Sequence, residues 1–326
     1  ELIQVPAETW TWVDFPGTFC GNGAATGIGV NFKSNSTDLV IYLAGGGACW
    51  DSLTCGPLNT AVNINSGYTA TSFASDTTVQ APPFQRAAST NPFRDMNYAY
   101  VPYCTGDVHS GDAVTAHPGT VVLGQTVPAK TVHHRGAHNL RLFLARLAAT
   151  FPNATRVFIS GSSAGAFGAQ FNYPLVADAF PNAEVHVYAD CGQLINPSGT
   201  LGATWNAAWN LDVPANCAGC AADFSLFPGY LSETYPSSRF ALLAYTQDNT
   251  LRQFFGFQPA DFETQTRALL SDAYVPSTNA RYFLLAGQDH VMLGNFNTLS
   301  SQGVSLLDWT TAFVNGTGAW SSVGPP

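Results

Sequence analysis

One short segment around residue 163 has the clearest potential for chemistry. An apolar run begins at Arg156 and ends in the pattern G-x-S-x-G, formed by Gly161, Ser163 and Gly165. The run predicts a strand, and the residues after Gly165 predict a helix. A serine between a strand and a helix is typical of a nucleophile elbow, where glycines prevent side chains from colliding with the neighbouring strand and helix. We therefore predict that Ser163 is a nucleophile, with a simple flexible turn as the alternative.

A serine hydroxyl needs a base to take its proton and an acid to orient that base. His290 directly follows a predicted strand and is the only histidine after His186, so we assign the base to His290. Four carboxylates in this half of the chain are candidates for the acid: Asp190, Asp248, Asp261 and Asp289. We favour Asp248 because it closes the strand before that of the histidine. Asp190 closes the strand after the nucleophile unit and stays an alternative.

Three glycines, Gly45 to Gly47, follow another predicted strand. Bare backbone can approach a substrate closely there, as in the glycine-rich loops that donate amides to the oxyanion of a tetrahedral intermediate. The amide that follows the nucleophile, that of Ala164, is the other expected donor. We predict an oxyanion hole formed by Gly46, Gly47 and Ala164. A flexible turn or a phosphate loop is the alternative, but the Gly-Lys-Ser/Thr signature of a P-loop is missing.

The elements that must position these residues can be read from hydrophobic patterning. Six apolar, β-branched or aromatic runs predict buried strands: Asp38–Leu43, Asn97–Tyr103, Arg156–Ile159, Val185–Tyr188, Phe240–Tyr245 and Tyr282–Leu285. Helical periodicity predicts a helix over His138–Ala149, and Ala164–Phe180 predicts a helix directly after the third strand. This alternation indicates an α/β fold with a mostly parallel central sheet and helices on both faces. Ser163, Asp248 and His290 would then lie at one sheet edge.

Composition limits the class of protein. The 326 residues are 46% hydrophobic and only 10% charged, whereas soluble domains are typically about 25% charged, so the chain is folded and buries a large core. A net charge of −9 with two lysines leaves no basic stripe for nucleic acid. No apolar run is long enough for a membrane span. We expect one catalytic domain over residues 1–326, acting as a monomer, with long surface loops.

Seven cysteines indicate an oxidising compartment. Because the sequence starts at Glu1 without a leader, we expect a secreted protein whose signal peptide has been removed. Cys49 with Cys55 is the first pair that we predict. Cys217 and Cys220 have the CxxC spacing, for which a disulfide brace is favoured over a metal or redox site because no second CxxC lies nearby. The odd count leaves at least one thiol unpaired.

Together with further motifs, these residues resemble the pectin acetylesterase and Notum family of serine hydrolases. The motifs are Gly45–Cys49 followed by Thr54-Cys55, the block P-Y-C-x-x-D-V-x-x-G over Pro102–Gly111, Arg135-Gly136, the G-x-S-x-G elbow and Asp289-His290. They occur in the family's order across roughly residues 10–295. The resemblance implies an α/β-hydrolase-like fold with disulfide-braced loops, secretion, no cofactor, and removal of acyl groups from carbohydrate or protein-bound esters. It also places the acid at Asp248.

The chain departs from the family at the glycines, where family members usually carry Trp or Tyr and this chain has Gly47-Ala48. We therefore expect a smaller or more open pocket wall. The net charge of −9 provides no field that would attract polyanionic pectin. We expect a serine esterase that removes acyl groups, acetyl first among them, from a carbohydrate or other acylated substrate. The alternatives are the same mechanism on longer-chain, aryl or polymeric hydrophobic esters, and a non-catalytic carbohydrate-binding scaffold.

Several other polar and aromatic residues have two interpretations. Asp107, His109 and Asp112 are interpreted as a hydrogen-bonding network of a loop and not as a metal site, and no metal is expected; His109 remains a candidate for the pocket mouth. Trp205 and Trp209, at i and i+4, would either stack on sugars or acyl groups or pack in the core. Three histidines are expected at the start of the long helix or on the surface: His133, His134 and His138.

Overall fold

The computed structural model describes residues 1–325, in which strands and helices alternate along most of the chain. The strands are β1 (Thr11–Phe15), β2 (Thr26–Asn31), β3 (Asp38–Leu43), β4 (Asn97–Val101), β5 (Ala113–His117), β6 (Thr120–Val122), β7 (Gln125–Val127), β8 (Lys130–His134), β9 (Arg156–Ser162), β10 (Glu184–Asp190), β11 (Phe240–Tyr245), β12 (Ala280–Leu285), β13 (Ser300–Ser301) and β14 (Val304–Ser305). The α-helices are α1 (Ala70–Ala74), α2 (Gly136–Thr150), α3 (Ala164–Phe171), α4 (Tyr173–Ala179), α5 (Leu201–Trp209), α6 (Phe227–Thr234), α7 (Asn249–Phe255), α8 (Pro259–Leu269) and α9 (Leu306–Asn315).

Eight strands form the central sheet, in the order β1-β2-β4-β3-β9-β10-β11-β12. The pairs β1–β2 and β2–β4 are antiparallel, and the remaining neighbours are parallel. All six residues of β11 and six of the seven in β10 are buried, as expected for parallel strands covered on both faces. The predicted α/β-hydrolase-like class, with its mostly parallel sheet, is confirmed.

Helices cover both faces of the sheet. The hydroxyl of Tyr188 in β10 lies 2.6 Å from Oγ1 of Thr310 in α9. Tyr173 in α4 packs on Phe240 of β11, with ring centroids 5.0 Å apart. Phe240 is in register with Val187, and adjacent residues of a strand point to opposite faces, so α4 and α9 lie on opposite sides of the sheet. Within residues 1–325, no helix has both the length and the apolarity that a membrane crossing requires.

All six predicted strands are present, and β3 and β11 have the predicted bounds. The strand β4 ends two residues early, at Val101, because Pro102 lacks the N–H that would continue the ladder. The long helix is α2, which begins two residues before the predicted start and ends one residue after the predicted end. The prediction of one helix over Ala164–Phe180 was wrong. Two helices form instead because Pro174 has no N–H to continue the first, and it lies in the first turn of the second.

The placement of two histidines also corrects the sequence analysis. His133 and His134 belong to β8, which pairs with β5, and the helix begins only at Gly136. His134 is not a surface residue: it is fully buried, and its Nε2 lies 3.1 Å from Nε2 of His117. This environment depends on a partner in another strand.

Three disulfides brace the loops. Cys49 bonds to Cys55 and Cys217 to Cys220, which confirms the predicted pair and the interpretation of the CxxC segment as a brace. The third disulfide joins Cys20 to Cys104 across 84 residues and ties the segment before β2 to the segment after β4. Cys191 is left as a buried free thiol directly after β10.

Candidate active site

The backbone at Ser163 is held in a strained turn between β9 and α3. Ser163 has φ 55° and ψ −123°, a region that L-residues rarely adopt. A Cβ on Gly161 would lie 2.4 Å from the backbone of Gly165, and a Cβ on Gly165 would lie 1.9 Å from the carbonyl oxygen of Leu43. Side chains at either glycine would therefore collide, as the sequence predicts. The turn holds Ser163 at the carboxyl end of the strand, where it lines a pocket.

Asp248 lies against His290. Asp248 caps α7, and its Oδ1 accepts hydrogen bonds from the amides of Thr250 at 3.0 Å and Leu251 at 2.9 Å. Its Oδ2 lies 2.7 Å from Nδ1 of His290. The carboxylate is completely buried, whereas the imidazole is 20% exposed. Because a carboxylate can only accept, Nδ1 of His290 carries the proton and Nε2 is left to accept one.

The alternative acid, Asp190, has different partners. Its Oδ1 accepts from the amide of Met292 at 2.8 Å, and its Oδ2 accepts from the amide of Leu293 at 3.1 Å and from the Ser162 hydroxyl at 2.8 Å. Burial raises the pKa of this carboxyl. Asp190 thus holds the chain just after His290, and the imidazole itself faces Asp248. The other two candidates, Asp261 and Asp289, are exposed.

Asp190 also connects the nucleophile to the base through its backbone. Its carbonyl oxygen accepts the amide of Ser163 at 2.8 Å. One residue therefore holds both the nucleophile turn and the segment that follows His290. No hydrogen bond joins the Ser163 hydroxyl to His290 within the described chain, and such contacts commonly tighten only when substrate binds.

The glycine loop packs directly on the nucleophile turn. A Cβ on Gly45 would lie 2.6 Å from the carbonyl oxygen of Ser162. Gly46 and Gly47 have φ of 148° and 78°, and Gly47 lines the same pocket as Ser163 and Ala164. Over residues 1–325, the amides of Gly46, Gly47 and Ala164 donate no hydrogen bond. These three predicted donors are thus unpaired, two of them in the wall of the pocket.

The pocket beside Ser163 is a narrow apolar cavity of about 40 Å³. Half of its lining residues are aromatic and come from several elements, among them Phe167, Phe171, Trp205, Trp209, Phe254 and Phe255. Trp205 and Trp209 lie on α5 and stack on each other, with ring centroids 5.3 Å apart. Both tryptophans are buried, which confirms the core-packing interpretation. Because they also line the pocket, stacking on a sugar or acyl group stays a prediction.

His109 does not lie at the pocket mouth. It is buried, and its Nε2 lies 2.8 Å from the carbonyl oxygen of Ala44, so the ring donates a hydrogen bond to the residue before the glycine loop. Burial lowers the pKa of His109 to about 4. The position of His109 behind the glycine loop depends on its contact with Ala44, which is 65 residues away in sequence. A local sequence pattern cannot reveal such a contact.

Asp107 and Asp112, next to His109, also have partners of their own. Asp107 accepts from the hydroxyl of Thr105 and from the amides of Gly111 and Gly136, and burial raises its pKa to about 6. Asp112 pairs with Arg135 at 2.6 Å. The three side chains thus face separate partners, which agrees with the interpretation as a loop network.

Two residues of the site had no role in the sequence analysis. Ser162 receives a hydrogen bond from Tyr42 at 3.0 Å and donates to Asp190. Cys191 accepts the amide of Val291 at 3.3 Å, and its sulfur lies within 4.8 Å of both Asp248 and His290 ligand atoms. Ser162 and Asp190 are paired at the ends of the neighbouring parallel strands β9 and β10. Since both residues close their strands, this pairing is the signal that could have indicated that Ser162 lies beside Asp190.

Comparison with known proteins places this chain in a family. The family described as Pectinacetylesterase matches residues 11–212, which is more than half of the chain. Pectin acetylesterase 11 of Arabidopsis thaliana is 25% identical over 244 residues, which cover 70% of this chain and 59% of the relative. Palmitoleoyl-protein carboxylesterase notum2 of Xenopus laevis is 24% identical over 160 residues, covering 48% and 30%. The matched region thus spans less than two thirds of either curated relative. With the glycine loop and the nucleophile turn inside the matched residues, this chain belongs to the pectinacetylesterase family.

Proposed function

We propose that this protein is a carboxylic-ester hydrolase that forms an acyl-enzyme on Ser163. The observation that carries the proposal is the 2.7 Å contact between the buried carboxylate of Asp248 and His290, at the sheet edge that also holds the nucleophile turn. Membership of the pectinacetylesterase family supports the same reaction class. The three predicted catalytic residues follow the carboxyl ends of β9, β11 and β12, which supports their meeting at one edge of the sheet.

In the proposed reaction, His290 Nε2 takes the proton of the Ser163 hydroxyl as its oxygen attacks the ester carbonyl carbon. The bond to the leaving alcohol breaks, and His290 returns the proton to that alcohol. Water then attacks the acyl-enzyme by the same route and releases the carboxylic acid. Asp248 keeps the proton on Nδ1 and stabilises the imidazolium.

The amides of Gly46, Gly47 and Ala164 donate to the oxyanion of each tetrahedral intermediate in this proposal. None of them has another hydrogen-bond partner in residues 1–325, which supports this role. Each such donor contributes roughly 10²–10³-fold to turnover.

For the substrate, we propose an acetylated carbohydrate or another acetylated molecule, on which the secreted enzyme acts outside the cell. The name of the Arabidopsis relative supports acetyl transfer to water, and three disulfides support secretion. The net charge of −9 favours a neutral polysaccharide over polyanionic pectin. Nucleic acid is not an expected partner, and we propose that the enzyme acts as a monomer without a cofactor.

The pocket favours a second candidate, an ester with a larger apolar acyl group. A longer or aromatic acyl group would bury more apolar surface against the ring-lined wall than an acetyl group would. The relative from Xenopus laevis is named for the removal of a palmitoleoyl group from protein.

Hydrolysis of nitrophenyl esters from acetyl to dodecanoyl tests both candidates, with Ser163→Ala as the control. A short-chain optimum that the variant abolishes supports a deacetylase, and a long-chain optimum supports the second candidate. Labelling with a fluorophosphonate probe reports on the serine independently of the acyl group. If no ester is turned over and the probe does not label Ser163, the proposal fails and a carbohydrate-binding scaffold becomes the better interpretation.

A further inference from the structure

A second cavity, here called the polar cavity, adjoins the glycine loop. It holds about 470 Å³, within the range of about 300–1,000 Å³ that is typical of small-molecule sites, and its rim is exposed at Val62 and Ser75. Gly47 lines the apolar pocket beside Ser163, whereas Gly45 lines the polar cavity. A Cβ on Gly45 would lie 3.1 Å from Cβ of Ser163. Gly45 therefore contacts both the nucleophile turn and the polar cavity.

The lining of the polar cavity differs from that of the apolar pocket. Eight of its eleven lining residues have a polar side chain. Three of these residues, Asn63, Ser72 and Asp76, are partly exposed, so a ligand can reach them from solvent. Within residues 1–325, Oδ1 of Asn63 accepts no hydrogen bond and the O–H of Ser72 donates none. The polar cavity thus offers both an acceptor and a donor to the hydroxyl groups of a ligand.

Asp76 gives the polar cavity a negative charge. Its Oδ2 accepts from the hydroxyls of Tyr68 and Tyr100, each at 2.6 Å, and its Oδ1 accepts the amide of Thr78 at 2.8 Å. Burial acts to raise the pKa of this carboxyl, but the hydrogen bonds outweigh burial and lower the pKa below its usual value. No Lys or Arg is among the described residues that line the cavity. An anionic ligand would therefore meet a carboxylate that no cation of the lining compensates.

We propose that the polar cavity binds the alcohol part of the substrate, and that this part is a neutral sugar with free hydroxyl groups and not a uronate. In an ester, the acyl group and the alcohol group lie on opposite sides of the carbonyl carbon. An acyl group in the apolar pocket, at Gly47, therefore leaves the alcohol group to extend towards Gly45. This inference rests on the proposed function, because the sugar enters the cavity as an ester attacked by Ser163.

Matched pairs of acetylated sugars test the proposal. The substrates are the 2-O-acetyl and 3-O-acetyl derivatives of methyl glucoside and the same derivatives of methyl glucuronoside, in which a carboxylate replaces the CH₂OH group. For each pair, we measure the ratio of kcat/KM for the neutral sugar to kcat/KM for the uronate, divided by the same ratio for uncatalysed hydrolysis. Vinyl acetate is the reference substrate, because its leaving group is too small to fill the cavity.

For the wild type, we expect at least one pair to show a preference for the neutral sugar of about fivefold or more, the effect of two like charges about 4 Å apart in water. Asp76→Asn should reduce this preference to within about twofold. Asp272→Asn is the matched control, since it removes the same charge from an exposed residue outside the cavity, and it should keep the preference. Absence of the preference in the wild type overturns the proposal, and so does an unchanged preference in folded Asp76→Asn.

A bulky side chain at the rim tests the location of the site. Ser75→Trp should lower kcat/KM for the acetylated glucosides about five- to tenfold relative to vinyl acetate, the effect of losing one hydrogen bond. Thr71→Trp is the matched control, because Thr71 is exposed on the same helix, α1, and does not line the cavity; it should leave this ratio within about twofold. An unchanged ratio in folded Ser75→Trp, or an equal fall in both variants, overturns the proposal.

The reference substrate separates this proposal from the proposed esterase activity. Ser163-dependent turnover of vinyl acetate without turnover of any acetylated sugar would overturn the role of the polar cavity alone. Absence of Ser163-dependent turnover of vinyl acetate and of all four sugar esters would instead refute the esterase activity.

Discussion

Replacing Asp248 by asparagine should change which nitrogen of His290 carries the proton. An asparagine that keeps the cap of α7 must place its oxygen where Oδ1 accepts the amides of Thr250 and Leu251. Its NH₂ group then takes the place of Oδ2, 2.7 Å from Nδ1 of His290. A donor at that position moves the ring proton to Nε2, which can no longer accept the proton of Ser163. We expect turnover to fall by about 10⁴-fold, equivalent to about 5 kcal/mol of activation free energy.

Asp190→Asn should act mainly on folding stability. The carboxylate of Asp190 accepts three hydrogen bonds, two at Oδ2 from Leu293 and Ser162 and one at Oδ1 from Met292. If the asparagine keeps its oxygen at the position of Oδ2, its NH₂ group takes the position of Oδ1. Two donors, this NH₂ group and the amide of Met292, then face each other. One buried amide then loses its partner, at a cost of about 1–3 kcal/mol in the free energy of unfolding. A displaced segment after His290 should lower turnover by about 10²-fold.

The assay compares kcat for nitrophenyl acetate with the free energy of unfolding in urea. Asp248→Asn should lose turnover with little change in stability, because the helix cap survives, and Asp190→Asn should lose stability and less turnover. Asp289→Asn is the matched control, since Asp289 is the exposed neighbour of His290, and it should change neither quantity appreciably. If Asp190→Asn loses several orders of magnitude while Asp248→Asn keeps its activity, the acid is Asp190 and this reasoning is wrong.

Two further predictions concern the glycine loop and acid stability. Gly47→Ala should lower kcat about 10²–10³-fold, because a Cβ there would lie 2.1 Å from the carbonyl oxygen of Thr60 and displace a proposed oxyanion donor. Gly303→Ala is the control for backbone strain alone, since Gly303 has φ +79° and open space around it. An equal loss of kcat in Gly303→Ala would contradict the role of Gly47. Burial lowers the pKa of His186 to about 3, so this side chain binds a proton less readily in the folded protein than in the unfolded chain. The contribution of neutral His186 to folding stability is therefore fully present above about pH 6.5 and is lost as pH falls towards about 3. Each unit by which the pH falls in this window should lower the free energy of unfolding by about 1.4 kcal/mol. Urea titrations at pH 7, 6 and 5 measure this dependence, and the free energy of unfolding should fall less steeply with pH for His186→Phe than for the wild type. Equal pH dependence in the two proteins would contradict the role of His186.

The central sheet could be predicted because its strands are buried on both faces and are continuous apolar runs. β3 and β11 have the predicted residues for this reason. The antiparallel strands β1 and β2 were missed: β2 has two glycines in six residues, and β1 alternates weakly at the edge of the sheet. The break between α3 and α4 could have been read from Pro174, which has no N–H to pair with the preceding turn.

The candidate site was predictable where the signal was local. The turn at Ser163 is encoded by two glycines whose side chains would collide with neighbouring backbone, and His290 follows from the order of the strands. Selection of Asp248 over Asp190 depended on strand order, and the contacts that distinguish them involve segments 42 and about 100 residues apart in sequence. The environments of His109 and His134 also depend on distant segments, so the local pattern misplaced both side chains.

The pocket wall beside the glycine loop shows how a local difference can be compensated by distant residues. Small residues at Gly47 and Ala48 predicted a smaller or more open wall, yet a Cβ on Gly47 would lie 3.2 Å from the ring of Phe254 in α7. Trp50 packs between that ring and Trp205, with centroids 6.5 Å and 5.5 Å away. Rings from outside the loop therefore occupy the space beside the glycines. We therefore expect α5 and α7 to set the selectivity for the acyl group. Substitutions in these helices should change the preferred acyl group without disturbing the glycine loop that is proposed to hold the oxyanion.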